Sequence, residues 1–202
     1  MRGIFATFSL LLATSAARVL NAPIPGYGIV DIQWEIETKP GGPTVQINGT
    51  IEQAVAQLHK INPNFSKDYN LNDAAADGGD EHDKRAAQPN DFDVKCFGRW
   101  VATVSKWINE GVKYLKGVKG QPTNGPGPGN CGRVSCSYDS AIWWCNDNHA
   151  SKTLDSFTSI ANGAAKVVSS CNRPMGNPFY HFTSGQAFHK DGWNVIVRKD
   201  WC

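Results

Sequence analysis

From residue 30 onward the apolar and polar positions fall into patterns whose period changes along the chain. Val30, Ile32, Trp34 and Ile36 alternate with Asp31, Gln33, Glu35 and Glu37. That alternation reads as a strand with one apolar face. Residues 39–43 are a Gly/Pro turn, and Val45 and Ile47 continue a second strand. Thr50 and Gln53 have the spacing of a capping box. Ile51, Val55 and Leu58 then share one helical face, which Pro63 ends. A hairpin and one short helix bury too little surface to stand alone. Their apolar faces need a partner, and the rest of the chain is the expected one.

A helical period returns at Trp100. Trp100, Val104, Trp107, Ile108, Val112 and Leu115 recur on one face, with Lys106, Lys113, Lys116 and Lys119 mostly off it. Residues 117–132 are rich in Gly and Pro, a composition that predicts neither helix nor strand. Residues 133–138 and 141–146 have strand character, with a turn at Asp139-Ser140. A second helix is predicted from about Thr153. Leu154, Phe157, Ile160, Ala161, Ala164, Val168 and Cys171 form its apolar face, and Ser151 or Thr153 caps it. Strands follow at 179–183, 186–189 and 193–201, with Asp191-Gly192 as a hairpin turn. The order predicts an α+β fold: a disulfide-stapled α/β sandwich, two helices on an antiparallel sheet, preceded by a β-hairpin plus helix.

The N-terminus changes the picture. Met1-Arg2 is a positive start, residues 4–13 are apolar, and the small residues Thr14, Ser15, Ala16 and Ala17 follow. This is the pattern of a secretory signal peptide over residues 1–17. It is too short for a bilayer span, which takes roughly 20 apolar residues. The expected product is secreted and extracellular. All six cysteines, Cys96, Cys131, Cys136, Cys145, Cys171 and Cys202, lie in the second half. An even number in an exported chain of this size reads as a disulfide framework, with fifteen possible pairings left open. Their intervals do not repeat as zinc ligands do, and no His pair follows at ligand spacing. No metal or cofactor is expected.

Residues 70–90 are acidic, Gly/Ala-rich and aperiodic, and read as an exposed linker. Lys84-Arg85 lies within it, a dibasic site for a kexin-type processing protease. Cleavage there divides the chain into an acidic propeptide, 18–85, and a mature cysteine-rich domain, 86–202. The propeptide carries six Lys/Arg against ten Asp/Glu, a net −4; the mature part carries thirteen against eight, a net +5. Opposite charges favour docking of the one on the other. Asn48 and Asn64 head N-glycosylation sequons, both in the propeptide.

Candidate chemistry is sparse. The mature part holds His149, His181 and His189. Two histidines and an acid can cleave RNA by general acid–base catalysis. His181 and His189, with Asp191, are the candidates, provided their strands pair suitably. No nucleophile elbow, His-Glu-x-x-His or phosphate-binding loop is present. Bridged cysteines leave no thiol nucleophile. Neighbouring residues of a strand face opposite ways, so one of Trp143 and Trp144 is expected in the core and the other is free to be a surface anchor, with core packing the default for the tryptophans. Trp144 and Trp193 are the candidate surface anchors for a sugar ring or a membrane interface. The net charge suits acidic membranes or cell-wall polyanions, and nothing points to sequence-specific nucleic-acid binding.

Three segments carry a resemblance: Cys131-Gly132-Arg133-Val134-Ser135-Cys136-Ser137-Tyr138, Ser140-Ala141-Ile142-Trp143-Trp144-Cys145-Asn146-Asp147-Asn148, and Gly185-Gln186-x-Phe188-His189 followed by Trp193-Asn194-Val195-Ile196-Val197-Arg198. They resemble a family of small secreted cysteine-rich fungal proteins, many of them candidate effectors. The hairpin-and-helix segment with Gly41-Gly42 and Asn48-Gly49-Thr50 resembles the same group. More distantly, the C-terminal half is similar to fungal killer toxins and related effectors. Cys171, Gly185-Gln186, Asn194-Val195 and Cys202 can be laid on their ending, with an insertion at 188–193. The resemblance implies a protein that acts on a host or competitor by binding a protein, glycan or membrane target, without a catalytic site. The alternative is a small secreted hydrolase, ribonuclease-like, using His181 or His189.

Overall fold

The computed structural model of the chain describes residues 20–71 and 86–202. The signal segment 1–17 and the Lys84-Arg85 pair lie outside the described residues. The N-terminal part holds β1 (Gly28–Ile29), β2 (Gln33–Glu37), β3 (Thr44–Asn48), α1 (Ile51–Ile61) and the single turn α2 (Phe65–Asp68). After residue 86 come β4 (Phe92–Cys96), β5 (Thr103–Val104), α3 (Ser105–Gly117), β6 (Gly120–Asn124), β7 (Asn130–Ser137), β8 (Ser140–Asn146) and β9 (Lys152–Thr153). Then follow α4 (Phe157–Cys171), β10 (Arg173–Met175), β11 (Asn177–Thr183), β12 (Gly185–His189) and β13 (Trp193–Lys199).

The fold is mixed α+β, stapled by three disulfides. In place of the one expected sheet the described residues form three. The largest runs β1-β7-β8-β13-β12-β4, a second runs β3-β2-β6-β9, and a third runs β10-β11-β5. The largest is not wholly antiparallel, because β1 pairs with β7 in parallel. Helix α4 packs on β4, β12 and β13, and α3 lies beside α4 against β7 and β8.

Along its central strands β8 and β13 the largest sheet is covered on both faces. On β8, Ile142 and Trp144 face the helices and join the main core with Trp193, Val195 and Val197 of β13. Ala141, Trp143 and Cys145 face the other way, with Ile196, into a second cluster closed by Ile24, Tyr27 and Trp100. A strand buried on both faces gives a near-continuous apolar run, which is why 142–145 shows little alternation.

Residues 20–71 are built into this body. β2 pairs with β3 on one edge, from Gln33↔Asn48 to Glu37↔Thr44, and with β6 on the other, from Gln33↔Thr123 to Ile36↔Gly120. The alternation of 32–36 drives Ile32, Trp34 and Ile36 to complete burial. Trp34 stacks on Phe157 of α4 at 4.5 Å between ring centroids and donates its indole N–H to Gly49 O at 2.7 Å. The capping interaction forms as its spacing predicts, with Thr50 N donating to Gln53 Oε1 at 3.0 Å. Fully burying a side chain of this size is worth about 1.5–3 kcal/mol each.

Four local readings are corrected. Gly120–Asn124 is a strand despite Pro122. Proline's φ suits extended backbone, and its carbonyl still accepts from Leu154 N at 3.1 Å. Gly120, at φ +145°, lets the strand approach Glu35: a Cβ there would sit 2.0 Å from Glu35 O. The first long helix begins at Ser105, not near Trp100. Thr103 and Val104, both β-branched, instead pair with β11. The second helix begins at Phe157, capped by Ser156, whose Oγ accepts from Thr158 N at 3.1 Å. Finally, the turn between β7 and β8 is Tyr138-Asp139, both at positive φ (47° and 56°), because Ser137 pairs with Ser140.

Candidate functional site

The disulfides set the frame on which any site must sit. Cys131–Cys145 joins register partners on β7 and β8 and closes a short loop, at a sequence separation of 14. Cys96–Cys171 ties the end of β4 to the end of α4 over 75 residues. Cys136–Cys202 ties β7 to the end of β13's extension over 66 residues. No cysteine is free. Among the described residues no His/Cys/Asp/Glu group has a metal-holding arrangement, and no helix is long and apolar enough to cross a membrane.

The two candidate catalytic histidines are not brought together. His181 lies on β11, which pairs with β10 and β5; His189 ends β12, which pairs with β4 and β13. The pairing that would have placed them on one sheet face does not occur. His181 is exposed. The His189 ring stacks on Trp193 at 4.7 Å and meets Phe92 edge-on at 5.3 Å. Its Nδ1 accepts from Asp191 N at 3.2 Å, and the Asp191 carboxylate lies 3.6 Å away. Burial pushes the His189 pKa down, against the opposing pull of Asp191. Held against the Trp193 and Phe92 rings, the His189 imidazole packs the hairpin. His149, between β8 and β9, is exposed and stands apart from both.

The tryptophan anchors are also corrected. Trp144 and Trp193 are both buried in the main core, edge to face at 6.4 Å. Trp143 is buried too, on the opposite face, with its indole N–H donating to Asp200 Oδ2 at 2.9 Å. Alternation did send the two neighbours to opposite faces. The face expected to meet solvent is instead covered by Ile24, Tyr27 and Trp100. The glycosylation asparagines Asn48 and Asn64 are both exposed.

The covered face carries a polar chain. Gln186 Nε2 donates to Asn194 Oδ1 at 2.9 Å, and Asn194 Nδ2 donates to Asp147 Oδ2 at 2.8 Å. Tyr27 OH donates to Asp147 Oδ1 at 2.9 Å. Burial, then the hydrogen bond to Asp147, raises the Tyr27 pKa above its usual 10.0. On the same N-terminal part, burial and the nearby Glu37 and Asp68 carboxylates push Tyr69 up to about 12.

Two surface features escaped the sequence reading. The first is a cleft of about 580 Å³ lined by Leu20, Arg133, Asp139, Arg198, Asp200 and Trp201, among others. Its charges are largely used internally. Arg198 lies 3.4 Å from Asp200, and Arg133 Nη1 donates to Trp201 O at 2.7 Å. The second is the β10–β11 hairpin. It turns at Gly176, φ +71°, and presents Met175 (55 % exposed), Phe179 (88 %) and Tyr180 (57 %) to solvent. Arg173 at its base lies over the Phe97 ring at 4.3 Å. The hairpin starts two residues after Cys171, so the Cys96–Cys171 bridge pins its root. Strand propensity alone could have found β11, but not which of its aromatics stay outside.

The chain matches no family model, no curated protein and no solved structure.

Proposed function

We propose that this is a secreted fungal effector- or killer-toxin-like protein, matured by kexin-type cleavage after Arg85, that acts on a host or competitor by binding a protein surface. The observation that carries the binding reading is the pinned β10–β11 hairpin with Met175, Phe179 and Tyr180 held outward. Large apolar side chains exposed along one hairpin fit a contact surface. Aromatic residues, Met and Arg are the types enriched where proteins meet. A root fixed by a disulfide lowers the ordering cost of binding. Three disulfides fit an oxidising, extracellular compartment.

The test is binding of the fluorescently labelled protein to living fungal and plant cells. The double variant Phe179→Ser/Tyr180→Ser should lose about tenfold or more in cell binding, while its mass still shows three disulfides. Equal binding by both proteins would overturn the assignment of the hairpin. Turnover of RNA by the protein, lost in His181→Ala, would replace this reading with the hydrolase one.

A further inference from the structure

We infer that residues 20–71 remain on residues 86–202 as a non-covalently held second chain after the backbone between them is cut, so that the working molecule is a two-chain assembly. The inference rests on the maturation proposed above. It concerns what happens after cleavage rather than whether cleavage occurs.

No covalent link would survive the cut, because every cysteine lies between residues 96 and 202 and pairs there. Retention must come from the contact surface. That surface has the character of a domain interior. β2 is a central strand, hydrogen-bonded to β6 on the edge away from β3. Removing it would leave β6 with an unpaired edge and would uncover the face of Phe157 on which Trp34 stacks. A second seam runs along β7: Gly28 N donates to Gly129 O at 2.7 Å, and Val30 N to Cys131 O at 3.0 Å.

Shape fits at close range. Ile32 fills the space above Gly132, where a Cβ would sit 2.1 Å from Ile32 Cδ1. Leu71 occupies the equivalent space at Gly117, 2.4 Å from such a Cβ. Polar groups are matched across the boundary as well. The Glu52 carboxylate accepts from Ser135 Oγ at 2.5 Å and from Cys136 N at 3.1 Å. Trp100 Nε1 donates to Pro23 O at 2.7 Å, and Tyr27 OH to Asp147. Each of these would be stranded by departure of the N-terminal part, a cost that a releasable mask does not carry. The net −4 of residues 18–85 against the net +5 of residues 86–202 acts in the same direction.

The experiment places a recognition sequence for a site-specific protease between Gly79 and Asp80 of the full chain. The purified protein is cut and run on gel filtration and native mass spectrometry at micromolar concentration. The expected result is one species holding both pieces in equal number, separated only by guanidinium. Pieces that elute apart without denaturant would overturn the inference. Gly132→Leu in the same background locates the interface. It should weaken association of the cut pieces about 10- to 100-fold, and unchanged association would overturn the assigned contact. The intact mass of the unmodified protein secreted by a fungal host reports separately on maturation. An uncut chain there would overturn the maturation reading, whatever the engineered cut shows.

Discussion

Trp34 and Trp144 are equally buried, and they are held there by opposite means. Trp144 sits beside Cys145, in a strand whose neighbour is tied to it by a disulfide and whose flanks are covered by α3 and β13. Trp34 belongs to a part of the chain with no cysteine at all. Its place is kept by strand pairing on both edges of β2, by the Phe157 ring and by a hydrogen bond to Gly49 O. The cysteine-rich part is thus stabilised partly by limits on its unfolded state. The N-terminal part depends wholly on contacts present in the folded one. The two share one core but should respond differently to the same insult.

The largest effect is expected from the bridges. Removing the long-loop bridge by Cys96→Ala/Cys171→Ala should cost about 4.5 kcal/mol, against about 3 kcal/mol for Cys131→Ala/Cys145→Ala, on the loop-entropy scale. Urea unfolding of the two double variants measures the difference. Equal costs would mean that the shorter bridge also holds native geometry. Trp34→Ala comes next, at about 3–5 kcal/mol. Because Trp34 belongs to the cysteine-free part of the chain, the variant should still form all three bridges, which mass before and after reduction reports. Loss of correct bridging would show that the N-terminal part guides the pairing and would collapse the contrast.

Glu52→Ala is smaller, about 1–3 kcal/mol, since Ser135 Oγ and the Cys136 N–H lose their acceptor. Hydrogen exchange at Cys136 should rise by more than at Val195 in the same protein. The smallest effect is the pH response of His189. Its pKa is depressed in the folded state, so the stabilisation is present above the ordinary value of 6.5 and is lost as pH falls below it towards the folded value. His189→Phe, which keeps the ring stacked on Trp193, should flatten that part of the stability–pH curve. An unchanged slope would assign it to other groups.

Periodicity made much of this legible. Alternation at 32–36 and the Thr50–Gln53 spacing located β2, β3 and the start of α1, and the run at 193–197 located β13. Those signals are local, and each is carried by the residues that form the element. Where the reading failed, the deciding contact was distant. Pro122 sits in a strand because β2, nearly ninety residues earlier, pairs with it at Trp34. Trp100 leaves the helical pattern because its indole finds Pro23 O. Trp144 and Trp193 are inside because a sheet with both faces covered offers no outer side at those positions. The candidate hairpin was visible only as a strand, since exposure of Phe179 and Tyr180 depends on where the folded chain places β11.

The position of β8 bears on how the chain is made. Its two neighbours are β7, which immediately precedes it, and β13, which begins only at Trp193. During N-to-C synthesis, Ile142-Trp143-Trp144 therefore emerges with one edge satisfied and waits for some fifty further residues before the other is covered. Residues 20–71 have already emerged by then, so β2 and Ile24 are available to shelter β6 and the far face of β8 early. An open strand edge with three large apolar residues is the element most prone to intermolecular pairing in a half-made chain. The order of elements along this sequence shortens the list of surfaces left bare while it waits.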